Sequence, residues 1–394
     1  MKKQILLSAI IIAFTSYSSL SQVINWKFQT QGRVYATPAV SGDIVLIGSG
    51  DSTFYAVGKK TGKQIWNYKV DGAIHSSPCV VDNFVFFGTT GGSLYALNIE
   101  TGNLSWKFDS GGEKMLDVWD YYLSSPYAYN GFVYWGSGDG FLYAIDCKTG
   151  NLVWKFKANG IIHATPLAYD DKVYFGDFGG YFYSLNAING DINWQFRTIG
   201  DTYFPNGEIQ KGATLDNGII YFGSRDYNIY ALSAKTGRGH WNMKEVGSWV
   251  IAEPLVYKEY IYVGTSDTHR FYCLSKVNGK IIWQIPLPMR VYGSAIEQNG
   301  IIYFGCFDGI LRGVDYKTGE IRWQFQTEAC KVNYSKIFNA DGKFKEGFEL
   351  YGKDYLESER LIHTLGSILS TPVISDDVMY FGSSDGCLYS VRIE

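Results

Sequence analysis

The sequence predicts an all-β fold: an eight-bladed β-propeller of four-stranded antiparallel blades whose ring is closed by the N-terminal strand. Three observations carry this. Aromatic residues make up 17% of the chain and 45 of its 394 residues are glycine, a mixture suited to pleated strands and tight turns. A unit of about 40 residues recurs from one end of the sequence to the other, the period of a propeller blade. Finally, the two ends of the chain each carry a fragment of that unit, and the fragments are complementary.

The first 21 residues stand outside the repeat. Lys2 and Lys3 precede an apolar run from Ile5 to Phe14, followed by small residues at Ser19 and Ser21. This is the pattern of a secretory signal peptide cut after Ser21, since the run falls short of the roughly 20 apolar residues a membrane span needs. An exported, soluble protein without a transmembrane segment is expected, periplasmic or extracellular. With no cysteine before Cys79, a lipid anchor has no attachment point.

Residues 22–394 are expected to form the propeller. Its clearest marker is a tryptophan a few residues after a Thr-Gly or Asn-Gly turn, as in Thr61-Gly62 before Trp66 and Asn189-Gly190 before Trp194. Trp26, Trp66, Trp106, Trp154, Trp194, Trp241, Trp283 and Trp323 follow one another at intervals of 40, 40, 48, 40, 47, 42 and 40 residues. They are expected to dock neighbouring blades, each burying on the order of 200 Å². Within each unit a Ser/Thr-Pro strand and a Tyr-Phe-Gly-like strand precede the turn, as at Thr165-Pro166 and Tyr174-Phe175-Gly176. The last unit starts at Ser370-Thr371-Pro372 and stops at Glu394 without a tryptophan strand, whereas Ile24 to Phe28 is such a strand without a unit of its own. Pairing them completes the eighth blade.

Insertions interrupt the regularity on one face. The connection from tryptophan to the next proline position is 12 or 13 residues in most blades, but 20 before blades 3 and 5 and 49 before blade 8. A rigid scaffold that presents variable loops places function there. The candidates are Trp119 and Tyr121 in the first insertion and Tyr203 and Phe204 in the second. The third, at about 328–365, is expected to form a separable cap. A second candidate set precedes the Ser/Thr-Pro strands and should ring the channel mouth: Tyr35, His75, His163, Lys211 and Tyr292, with Leu123, Ile251 and Leu369. Such a ring suits a solvated funnel, or an anion or a sugar; two histidines alone do not make a metal site. Glu253 is a lone candidate calcium ligand or base.

A formal net charge of −3 excludes a polyanion-gripping surface, so nucleic acid is not an expected partner. The six cysteines contain no CxxC pair, and the sequence has no phosphate loop, HExxH helix or nucleophile-base pair, so no catalytic residue is assigned.

The Ala-x-Asp/Asn-x-x-Thr-Gly-x-x-x-Trp unit, seen as Ala144-Ile145-Asp146-Cys147-Lys148-Thr149-Gly150 and Trp154, resembles the repeat of pyrroloquinoline-quinone-type propellers. That resemblance implies one of two functions. Quinoprotein dehydrogenases of the family bind the quinone and calcium over the channel and carry a disulfide between adjacent cysteines, which this sequence lacks. BamB-like proteins are eight-bladed scaffolds of outer-membrane β-barrel assembly and bind no quinone; the chain matches their size but lacks their lipid-anchor cysteine. The expectation is therefore a monomeric, non-catalytic scaffold that binds an envelope protein or peptide through its loop-rich face, with no cofactor. The alternative is an enzyme or sensor holding pyrroloquinoline quinone with calcium, or a saccharide, over the central channel.

Overall fold

In each repeat the second and third strands are buried on both faces and the fourth alternates, which is what a blade stacked between two others requires. The computed structural model describes residues 24–393, so the expected signal peptide lies outside the described residues. Blade 1 shows the pattern: Ala39–Ser41 at the channel, Ile44–Ser49 and Thr53–Gly58 in the middle, and Gln64–Lys69 outermost. Eight such antiparallel sheets form the ring.

The tryptophan-glycine motif serves contacts between blades as well as within them. Trp66 lies opposite Ala56 across the outer strand pair, and the residue facing every other motif tryptophan is also small: alanine, serine, cysteine or glycine. With little bulk beside it, the indole leans over the next blade. There its N–H donates to a turn carbonyl: Trp26 to Lys59 O at 2.9 Å, Trp66 to Ile99 O at 2.8 Å, Trp154 to Ala187 O at 3.0 Å. The ring itself rests on the turn glycine. A Cβ placed on Gly62, which has φ +65°, would come within 2.6 Å of the Trp26 ring. Both the left-handed backbone and the indole contact exclude a side chain there.

Residues Ile24–Gln29 are the outer strand of the last blade, in the order Ile24–Gln29, Cys387–Arg392, Val378–Gly382, Val373–Ser375. Trp26 is opposite Ser390 and Phe28 opposite Leu388, and the Thr30 N–H donates to Gly386 O at 2.8 Å. This pairing closes the ring and covers the edge of Cys387–Arg392 that would otherwise be open.

The third insertion is helical where the rest of the chain is not. Helix α1 (Glu328–Ile337) is capped by Thr327, whose hydroxyl accepts the Cys330 N–H; α2 (Tyr355–His363) follows. Cys330, Ile337, Ile362 and His363 are buried, and Ile337 and Ile362 join a cluster containing Tyr35, Tyr121 and Tyr292. Through these helix faces the segment packs onto the apolar cluster over the channel.

Candidate functional site

The insertions converge on the channel mouth of their own face and close it. From the first insertion, Tyr121 stands among Tyr35, Tyr292, Phe307 and His363, with ring centroids 5.3–6.2 Å away. Its hydroxyl donates to Glu359 of α2. Glu359 also accepts two bonds from Arg290, each 3.0 Å, and both charged groups are buried. Burial alone would raise the Glu359 carboxyl, but the guanidinium holds it below its ordinary value. Beside it, Tyr122 donates to Leu369 O at 2.8 Å, bridging to the last blade. Burial holds His363 neutral, with its pKa down at about 3.

His163 is the anchor of the first insertion. Its Nδ1 lies 3.0 Å from Asp120 and its Nε2 2.8 Å from Glu113. Burial opposes the charge on the ring, yet the two carboxylates prevail and the pKa rises to about 9. A second polar brace ties the insertion to blade 5: Arg225 donates to Asp117 at 2.5 Å and to Gln210 at 2.9 and 3.1 Å. The guanidinium also covers the Trp249 ring at 4.3 Å.

Outside this plug, on the same face, lies an apolar pocket of about 390 Å³. Trp119 of the first insertion, Phe204 of the second and Tyr351 of the third line it together with Trp249, Tyr292, Ser266 and Asp267. Trp119 meets Trp249 edge-on at 6.0 Å, and Phe204 meets it at 5.0 Å. The Tyr351 hydroxyl donates to Asp267, which fixes the acid at the pocket wall. The indole N–H of Trp249 is buried and has no hydrogen-bond partner among the described residues.

The two candidate sets thus separate. Trp119, Phe204 and Tyr292 share the pocket, Tyr203 stands 79% exposed beside it, and Tyr121 is committed to the plug. Of the channel ring, Tyr35 packs under the plug while His75, His163 and Lys211 line a second cavity within the channel. The ring does not open as a funnel on the insertion-bearing face, because Tyr121 and Tyr122 fill that mouth. Sequence reasoning passed over Trp249, although the sequence held a signal: only three of 11 tryptophans, Trp119, Trp135 and Trp249, fall outside the repeat register. Arg290 and Glu359, 69 residues apart, offered none.

A planar quinone lying over the channel would need the space that Tyr121, Phe307 and His363 occupy, and all six cysteines are free thiols. Among the described residues no group of three or more His, Cys, Asp and Glu is arranged to hold a metal ion.

Comparison with known proteins bears on the same question. The crystal structure of BamB from Moraxella catarrhalis aligns with a TM-score of 0.70 at 16% identity, covering 95% of this chain and 99% of that one. A quinohemoprotein alcohol dehydrogenase from Pseudomonas putida HK5 aligns with a TM-score of 0.69 at 13% identity, over 94% of this chain and 76% of that one. At such identities the likeness is one of fold. A lanthanide-dependent methanol dehydrogenase of Methylacidiphilum fumariolicum (strain SolV) is 34% identical over 55 residues, 14% of this chain and 9% of that protein. The chain thus spans about a tenth of the length of the curated relatives it matches. The family model described as outer membrane protein assembly factor BamB matches residues 17–126, 118–208 and 204–337. With that match running through most of its length, the chain belongs to the family of the outer membrane protein assembly factor BamB.

Proposed function

We propose that this protein is an exported, non-catalytic scaffold that binds a protein partner in the cell envelope and serves the assembly of outer membrane proteins. The observation that supports this reading best is the aromatic pocket to which all three insertions contribute, through Trp119, Phe204 and Tyr351. Large apolar side chains stand exposed around it on the same insertions and on the connection into blade 6, among them Tyr203 at 79%, Val246 at 90% and Leu356 at 57%. Exposed apolar groups gathered on one face mark an interaction surface, and a preformed aromatic pocket within it suits an anchoring side chain of the partner. Asp267 at the pocket wall favours an anchor with a basic or hydrogen-bond-donating tip. The buried plug keeps the pocket rigid, so little ordering entropy opposes binding. Family membership points the same way.

The test is affinity capture from the native envelope fraction with tagged wild type and with the double variant Trp119→Ala, Phe204→Ala. Co-purification of outer membrane assembly proteins with wild type, reduced about tenfold or more in the variant, is the expected result. Equal recovery by both proteins would move the partner surface elsewhere, and recovery of no assembly protein would refute the scaffold role.

A further inference from the structure

Beneath the plug the channel holds a cavity of about 350 Å³ that extends along the innermost strands to Leu255 and Val256, away from the insertions. This is the small end of the range for ligand sites. A belt of hydroxyls circles it. The Thr37 N–H donates to Ser77 Oγ at 3.0 Å, the Ser77 N–H to Ser125 Oγ at 2.9 Å, and the Thr371 N–H to Thr37 Oγ1 at 3.1 Å; the Ser294 N–H donates to Thr371 Oγ1, also at 3.1 Å. Each of these four hydroxyls accepts a backbone N–H and donates to nothing among the described residues, so its own hydrogen is left for the lumen.

The belt is broken in blades 5 and 6, where Lys211 and Glu253 enter the cavity. Both sit deep in the molecule, and the surface they retain faces only the lumen. The Lys211 ammonium donates to Tyr292 O at 3.3 Å and lies 4.2 Å above the Tyr122 ring, leaving two of its three N–H donors unused. It forms no ion pair with a carboxylate of the described residues. The Glu253 carboxylate folds back over Gly212, where a Cβ would come within 2.7 Å of its Oε2. Burial holds Lys211 down at about 8 and pushes Glu253 up, although each charge partly offsets the other. Two opposite charges share one small cavity without touching. A lone anion placed there is attracted by one and repelled by the other, and a lone cation likewise. A molecule carrying both charges a few ångströms apart satisfies both.

We infer that the channel cavity is a binding site for a small zwitterion of the α-amino-acid class, its carboxylate held by Lys211 and the hydroxyl belt and its ammonium by Glu253. The site lies on the other side of the plug from the proposed partner surface and does not rest on that reading.

The test is calorimetric titration of the purified full-length protein with each of the common free amino acids. The best binder is then compared with its deaminated acid and its decarboxylated amine. The expected result is saturable binding of at least one amino acid, with both single-charge analogues weaker by about tenfold or more, the worth of one charged hydrogen bond. Lys211→Met should weaken the amino acid by a similar factor. Glu253→Gln should weaken the amino acid but not the deaminated acid. Failure of every amino acid to bind overturns the site. Equal binding of the two single-charge analogues and the amino acid to wild type, a result that needs no variant to fold, overturns the zwitterion.

Discussion

The ring and the plug that fills its mouth are held together by different physics. Between blades the same apolar joint recurs: an indole over a glycine turn with one hydrogen bond, as at Trp26, Trp66 and Trp154. At the channel mouth nothing recurs. The first insertion is tied down by a charged His163 between two carboxylates, by Arg225 on Asp117, and by Tyr121 reaching Glu359, which Arg290 neutralises. A repeated apolar joint tolerates the loss of one copy, because its neighbours are intact. A buried polar joint made once has no substitute, and removing one partner strands the other.

The sharpest way to probe that contrast is to remove one half of the buried pair. Arg290→Ala should cost about 3–5 kcal/mol in denaturant unfolding, because Glu359 is left charged and buried. The paired replacement Arg290→Met, Glu359→Leu should cost clearly less than either single change. If the single and double variants are equally destabilised, the pair is not the plug's fastening.

Next in size comes a ring joint. Trp26→Ala should cost about 3 kcal/mol, the lower end for a large aromatic, since Trp26 is only partly buried. It also loosens the strand that closes the last blade. Wild-type stability in this variant would break the closure scheme.

The third test uses pH. His163 holds its proton more tightly in the folded state, at about 9, than in the unfolded chain near 6.5. Its contribution is therefore full below about pH 6.5 and is lost as pH rises to about 9. Lys211, held down at about 8, acts in the opposite sense and regains stability above pH 8. The unfolding free energy should fall between pH 6.5 and 8 and then flatten; His163→Gln should abolish the fall and spare the later gain. An unchanged slope in His163→Gln would show that the ring is not charged when folded.

The smallest expected effect on stability is at the pocket. Trp119→Ala should cost on the order of 1 kcal/mol, because the side chain is partly exposed and its loss strands no buried charge. Its measurable consequence should be partner capture, so a stability loss matching that of Trp26→Ala would make Trp119 a structural residue.

The ring was legible in the sequence because its interactions repeat. Gly62 and Trp26 belong to different blades, yet each recurs at a fixed offset, and repetition makes an offset visible. The closure was legible for the same reason, as a missing tryptophan strand at one end and an orphan one at the other. The plug was not. Tyr121 and Glu359 are 238 residues apart, Arg225 and Asp117 are 108 apart, and each contact occurs once. The insertions were visible as added length on one face. That they fill the channel mouth follows from side-chain shape, which no period records. For that reason the ring residues Tyr35 and Tyr292 read as an open rim when they are the floor beneath Tyr121.

The strand that closes the ring also sets an order of events. Asn25 and Ser390, 365 positions apart, are hydrogen-bonded. A chain made from its N-terminus therefore presents residues 24–29 long before their partner, residues 387–392, has been synthesised. Blades 1 to 7 are each built from neighbouring sequence and can form as they emerge, whereas the eighth must wait for both ends to meet. Loop closure over such a span is slow compared with hairpin formation. Until it happens, two strand edges are exposed that will later be hidden from each other's competitors.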